Sequence, residues 1–175
     1  MPHTGMKPGA ALTPRIPDES VCSTLLTQVP PQVAAHSRAV QRLALEMCDA
    51  LAAHGVRLNR ALLSAAALLH DICRTEPNHA FAGAQKLRDL GYPEIADIVA
   101  VHHDWSGGPF DESALLYLAD KYMQDDQRVT LEERFERSRA KCHTEQALCT
   151  HDRRYRLALE AQQQYDDLLI GEKQP

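Results

Sequence analysis

Leu68-Leu69-His70-Asp71-Ile72-Cys73-Arg74 follows and completes a run, Ala61 to Leu69, that is apolar apart from Ser64. A helical segment this apolar is headed for the core. It ends in an imidazole and a carboxylate side by side, two groups that are costly to bury without partners. A divalent cation would satisfy a His and an Asp together. The remaining donors must then come from elsewhere in the chain.

The segment before the run reads as a helix from Pro31 to about His54, started by a proline at its first position and stopped by Gly55. Its inward stripe is His36, Val40, Leu43, Ala44, Met47 and Leu51, at helical spacing. His36 therefore starts the buried face. Asn59 can cap the next helix, residues 60–72, which carries His70 and Asp71 at its end. Asn78 reads as the cap of a further helix with His79, Gly83, Leu87 and Leu90 on one side. Gly83 there suggests close approach of another backbone. Gly91 ends that helix and Pro93 opens another, where Ile95, Ile98, Val99 and His102 form the stripe. His103 lies about 100° further round. Asp111 caps a helix of roughly 112–124 in which Leu116, Tyr117, Asp120 and Met123 share a face. Thr130 and Glu133 form a capping box. A last amphipathic helix spans about 150–169, with Leu157, Ala161, Tyr165 and Leu168 inward. His151-Asp152, a second His-Asp pair, falls at the start of that helix and reads as an N-cap region. Glu132-Glu133-Arg134 and Arg137-Ser138-Arg139 read as solvated faces that could line a substrate entrance.

No strand alternation of useful length interrupts this pattern, so the fold class is all-α. Ala and Leu are abundant and aromatics are 5% of the 175 residues, which favours helices over sheets. Residues 1–17, with four prolines and no periodicity, read as a flexible N-terminal tail. Residues 18–170 read as a single helical domain with a metal-site core at about 31–125. The net charge of −5 and the absence of a long basic run argue against a nucleic-acid duplex as partner. No apolar run nears the ~20 residues of a membrane span. Five cysteines without Cys-x-x-Cys spacing point to a reducing, cytoplasmic setting. A homodimer is compatible with the sequence.

Five helices in succession thus turn a polar donor toward the buried side: His36, His70 with Asp71, His79, His102 and Asp120. One inward histidine is ordinarily a satisfied core residue. Five helices doing the same are hard to explain by separate hydrogen bonds. Four imidazoles and two carboxylates have the composition of a site for one or two transition ions, and six donors exceed a closed tetrahedral zinc site.

The ordered set His36 … His70-Asp71 … His79 … His102 (His103) … Asp120 resembles the HD-domain superfamily of metal-dependent phosphohydrolases. His70-Asp71-Ile72-Cys73-Arg74 is similar to a His-Asp-Ile-Gly-Lys form of its motif. His79-Ala80-Phe81-Ala82-Gly83-Ala84 resembles a segment of the branch that builds dinuclear sites. Tyr117-Leu118-Ala119-Asp120-Lys121 resembles the last ligand segment of that branch, as in bacterial dinucleoside tetraphosphate hydrolases. The resemblance implies an HD-type bundle of six to eight helices. It implies His36, His70, Asp71, His79, His102 and Asp120 as ligands of two divalent ions. Iron or manganese is favoured, with zinc, cobalt, nickel or magnesium as alternatives. His70 and Asp71 would be catalytic. Arg74 and Lys121 would bind the oxygens of a small phosphorylated substrate, a nucleotide by preference, with a water activated by metal as nucleophile. His103 would orient the substrate or ligate in place of His102. Two other readings share these residues: a non-catalytic metal- and nucleotide-binding module, and a di-iron oxygenase of the same fold.

Overall fold

The computed structural model describes residues 15–171. Among them the chain forms eight helices and one small hairpin: α1 (Glu19–Leu26), α2 (Pro31–Ala53), α3 (Arg60–Leu69), α4 (His79–Asp89), α5 (Pro93–Ala100), α6 (Glu112–Lys121), β1 (Met123–Gln124), β2 (Gln127–Arg128), α7 (Leu131–Arg139) and α8 (Glu145–Ile170). The all-α class and the helix count agree with the reading above.

Local chemistry sets most of the starts. Asp18, Asn59, Asp111 and Thr144 each accept a hydrogen bond from the third backbone amide beyond them. Thr130 and Glu133 close a reciprocal capping box. These bonds satisfy amides that have no partner inside the helix, for about 1 kcal/mol each. Pro31 and Pro93 open α2 and α5. Gly55 and Gly91, at φ 86° and 85°, take the left-handed turn that releases the chain from α2 and α4.

Helix α2 forms the spine. It packs on α3 and α6; α4 and α5 pair with each other, and α5 also lies on α3. Helices α7 and α8 pack together, and α8 covers α6. Leu51, Leu63, Leu68, Leu69, Leu87, Ile95, Leu115, Leu116, Tyr117 and Leu118 are completely enclosed. Burying a leucine contributes about 2 kcal/mol, which holds the helix ends where the polar donors emerge.

Several local expectations change. Helix α3 stops at Leu69, so His70 is its C-cap and Asp71 lies in the turn beyond. Likewise α5 stops at Ala100, and His102 and His103 follow it. Asn78 sits at φ 53° and makes no side-chain cap bond, because a left-handed residue points its amide away from the first turn. The helix expected to run to 124 ends at Lys121, where the hairpin begins. Helix α8 starts six residues before His151, which is therefore a buried residue two turns inside the helix. Residues 1–14 of the expected tail lie outside the described residues. Pro17 is buried, Ile16 packs on the core, and the Arg15 guanidinium lies 5.7 Å from the Tyr92 ring centroid.

Candidate metal centre

Helix ends and the turns beside them bring the donors together. His36 comes from the second turn of α2, His70 and Asp71 from the end of α3, and His79 from the first position of α4. His102 and His103 come from the bend after α5, and Asp120 from the last turn of α6. Two donor sets form. Asp71, His79, His102 and His103 offer atoms within 4.8 Å of one another, and so do His36, His70 and Asp71. Asp71 belongs to both.

Distances describe the arrangement. His36 Nε2 lies 3.1 Å from Asp120 Oδ1, and His70 Nε2 lies 3.6 Å from the same oxygen. His70 Nε2 is 3.7 Å from Asp71 Oδ2. The other oxygen of Asp71 faces His79 Nε2 at 3.2 Å and His102 Nε2 at 3.5 Å. The Nε2 atoms of His79 and His103 approach to 2.6 Å. The two oxygens of Asp71 therefore face different histidines, Oδ2 toward His70 and Oδ1 toward His79 and His102.

Three rings are aimed from behind. His36 Nδ1 donates to the Asp125 carbonyl at 2.6 Å, His70 Nδ1 to Ala67 at 2.8 Å and His102 Nδ1 to Val99 at 2.7 Å. A carbonyl can only accept, so these bonds place a proton on Nδ1 and aim Nε2 inward at the carboxylates. His70 Nε2, His102 Nε2 and Asp71 Oδ1 are buried and have no hydrogen-bond partner. Orphaned buried atoms of this kind cost about 1–3 kcal/mol each. A cation between them satisfies all three, so the residues present fit a divalent metal.

The electrostatics agree. Burial would raise the Asp71 carboxyl, but the imidazoles of His102, His70 and His79 hold it far below the carboxylate range. Burial opposes ionisation of Asp120 too, and the ammonium of Lys121 with His36 and His70 overcomes it. Burial pushes His102 down, and burial with the Lys121 charge pushes His103 far down. Both are thus neutral donors, the form that ligates. His70 differs: burial works against its charged form, yet Asp120 and Asp71 carry it above the ordinary value. A cation beside it would displace that proton.

The HD-domain family profile matches residues 33–134, more than half of the chain. The chain belongs to the HD-domain family. This HD domain is 32% identical over 119 residues to an uncharacterized protein of Methanocaldococcus jannaschii, covering 66% of this chain and 69% of that protein. It is also 32% identical over 111 residues to the tRNA (cytidine(56)-2'-O)-methyltransferase of Picrophilus torridus, covering 61% of this chain but only 31% of that enzyme. No solved structure matches it.

The six residues expected as ligands of the HD domain meet at this one place, and His103 lies among them beside His102. The two cations expected to bind substrate differ from each other. Arg74 is half exposed, with Nε 3.5 Å from Asp71 Oδ2. Lys121 is buried, donates to Asp120 Oδ2 at 2.6 Å and lies 4.8 Å from the Tyr117 ring centroid.

One contributor has no signature in the sequence, and a second reads first as solvated and only alternatively as lining a substrate entrance. Asp125, at φ 54° in the hairpin turn, orients His36 through its carbonyl, a contact no side-chain pattern announces. Arg134, set aside as part of a solvated cluster, is part-buried and lines the cavity of about 280 Å3 that opens onto His36, Asp71 and Asp120. A signal for it existed: Leu131, Arg134, Phe135 and Ser138 repeat at i, i+3, i+4, i+7 on α7.

Proposed function

We propose that this HD domain is a metal-dependent phosphohydrolase cleaving a phosphoester or phosphoanhydride of a small molecule, with nucleotides the first class to test. One observation carries the reading: two donor sets share Asp71 and open onto a cavity that also holds Arg74, Arg134 and Lys141. That cavity joins nucleophile-activating donors to cations suited to a phosphoryl group.

Two divalent ions, iron or manganese by preference, would supply Lewis acidity toward water and the phosphoryl oxygens. His36, His70 and Asp120 hold one side of the centre. His79, His102 and His103 hold the other, and Asp71 stands between. The carbonyls of Asp125, Ala67 and Val99 keep three rings from turning, so the donors are in place before substrate arrives. Arg74, half exposed and in long contacts with Asp71 and His79, can swing its planar fork to two phosphoryl oxygens. The part of Lys121 is to keep Asp120 ionised and its Oδ1 turned inward.

Among the described residues no helix is long and apolar enough to cross a membrane. The setting we propose is reducing and cytoplasmic; the five cysteines are free thiols. Metal analysis of protein purified without chelator, followed by phosphate release from a panel of phosphorylated metabolites with Mn2+ or Fe2+, tests the proposal. Bound metal with no phosphate released from any of them would overturn it.

A further inference from the structure

A second cavity, of about 510 Å3, lies between α6, α7 and α8 and shares His103 and Arg134 with the one over the donor sets. Its size is within the roughly 300–1,000 Å3 of small-molecule sites. Apart from His103, Lys121 and Arg134, its lining comes from residues 135–154, beyond the segment that defines the family. It is therefore a feature of this chain's own C-terminal helices.

The groups facing the cavity divide into engaged and free. Arg154 makes a two-pronged bond to Asp104, at 3.0 and 2.8 Å. Lys121 is held by Asp120. His151 has Nε2 2.9 Å from the Phe135 carbonyl and Nδ1 3.0 Å from Asp152. These three build the wall. Arg134 is different: its Nε is buried without a partner, and its Nη1 reaches only Gln124 at 3.5 Å. Gln146 and Thr150 add neutral hydrogen-bonding side chains to the same lining, which also includes Phe135 and Ala147. No carboxylate lines this cavity among the described residues.

Resting on the hydrolase reading, we infer that this cavity holds the organic part of the substrate, with Arg134 at the junction gripping the phosphate and Gln146 and Thr150 reading the organic part. The ligand class follows from the lining. It is a phosphoester whose organic part is neutral, about the size of a nucleoside, and edged with donors and acceptors. A cationic organic part has no counter-charge here. An inorganic or very small phosphate leaves the cavity filled with water.

The test is a calorimetric titration of the full chain with the four ribonucleoside 5′-monophosphates, ribose 5-phosphate and inorganic phosphate. It is run in chelator and again with Mn2+, with phosphate release followed in parallel. At least one nucleotide should bind about tenfold more tightly than inorganic phosphate. Gln146→Ala combined with Thr150→Val should remove about tenfold of that preference and leave inorganic phosphate binding unchanged. Arg134→Gln should weaken both by a similar factor. Gln146 is exposed and Thr150→Val keeps shape, so folding is not at stake. The inference is overturned if no nucleotide outbinds inorganic phosphate in either condition, or if the double variant keeps the full preference. Preference without phosphate release under any metal would sink the hydrolase reading and leave the cavity assignment standing. Phosphate release that ignores the double variant would do the reverse.

Discussion

His79 Nε2 lies 3.2 Å from Asp71 Oδ1, tying the first residue of α4 to the turn that follows α3. The contact puts one oxygen of Asp71 among the α4 and α5 histidines while its other oxygen stays with His70. Among the described residues Asp71 is thus the one common to both donor sets. Asp71→Ala should abolish both metal retention after dialysis and phosphate release. A variant with normal metal content and turnover would remove the basis of the site.

The two sets make separable predictions. His36→Ala should lose one equivalent of metal and His103→Ala the other, read by metal content per chain. Chelator should lower the thermal midpoint of the wild-type protein and added Mn2+ should restore it. Ligand at about 100 times its dissociation constant adds roughly 2.7 kcal/mol to a folded state that alone binds it. An unchanged midpoint on chelation would argue against a resident ion.

Lys121 and Asp120 are sequence neighbours, both buried and paired at 2.6 Å. Removing one member of a buried pair costs about 3–5 kcal/mol when the other charge is left uncompensated; His36 and His70 still face Asp120, so the loss should fall below that ceiling. Lys121→Met keeps the stem on Tyr117 and deletes only the charge. In metal-free protein its urea midpoint should fall accordingly. A loss below about 1 kcal/mol would mean the pair is no more than a surface-type contact.

Gly83 lies inside α4, where its spacing from His79 suggests a backbone too close for a side chain. The surroundings are looser. A Cβ there would meet Ile72 Cγ2 and Val99 Cγ1 at 3.5 Å and the His70 carbonyl at 3.9 Å, all ordinary contacts. Alanine is the better helix former by about 1 kcal/mol. Gly83→Ala should therefore stabilise the fold by roughly 0.5–1 kcal/mol in equilibrium unfolding. Destabilisation would show that α4 is packed more tightly than these distances say.

The thiols should separate by reactivity. Burial pushes the Cys22 thiol up to about 11, so at pH 8 almost none of it is thiolate. Cys48 is buried and also raised, whereas Cys149 is exposed. Iodoacetamide on the native protein at pH 8 should label Cys149 first and reach Cys22 and Cys48 only after unfolding, as read by peptide mass spectrometry.

Most of the architecture was legible because helices announce themselves locally. Caps at Asn59, Asp111 and Thr130, prolines at positions 31 and 93, and glycines at 55 and 91 act within a few residues of where they stand. The donors were legible for a related reason: a histidine on an apolar stripe has to be directed at something buried. The same logic was less reliable at element ends. His102 was placed inward on a stripe although α5 stops two residues before it; the bend keeps the ring buried and brings His103 in as well.

The amino-acid sequence by itself determined the helices, their buried faces and the six donors, since these depend on periodicity and on the cost of burying polar groups. Tertiary structure alone decided that Asp71 stands between two donor sets, that Asp120 takes up Lys121, and that Arg134 faces the cavity instead of solvent. These are contacts between segments far apart in the chain or choices among rotamers; the packing of α2 to α5 selects the first and that of α6, α7 and α8 the others.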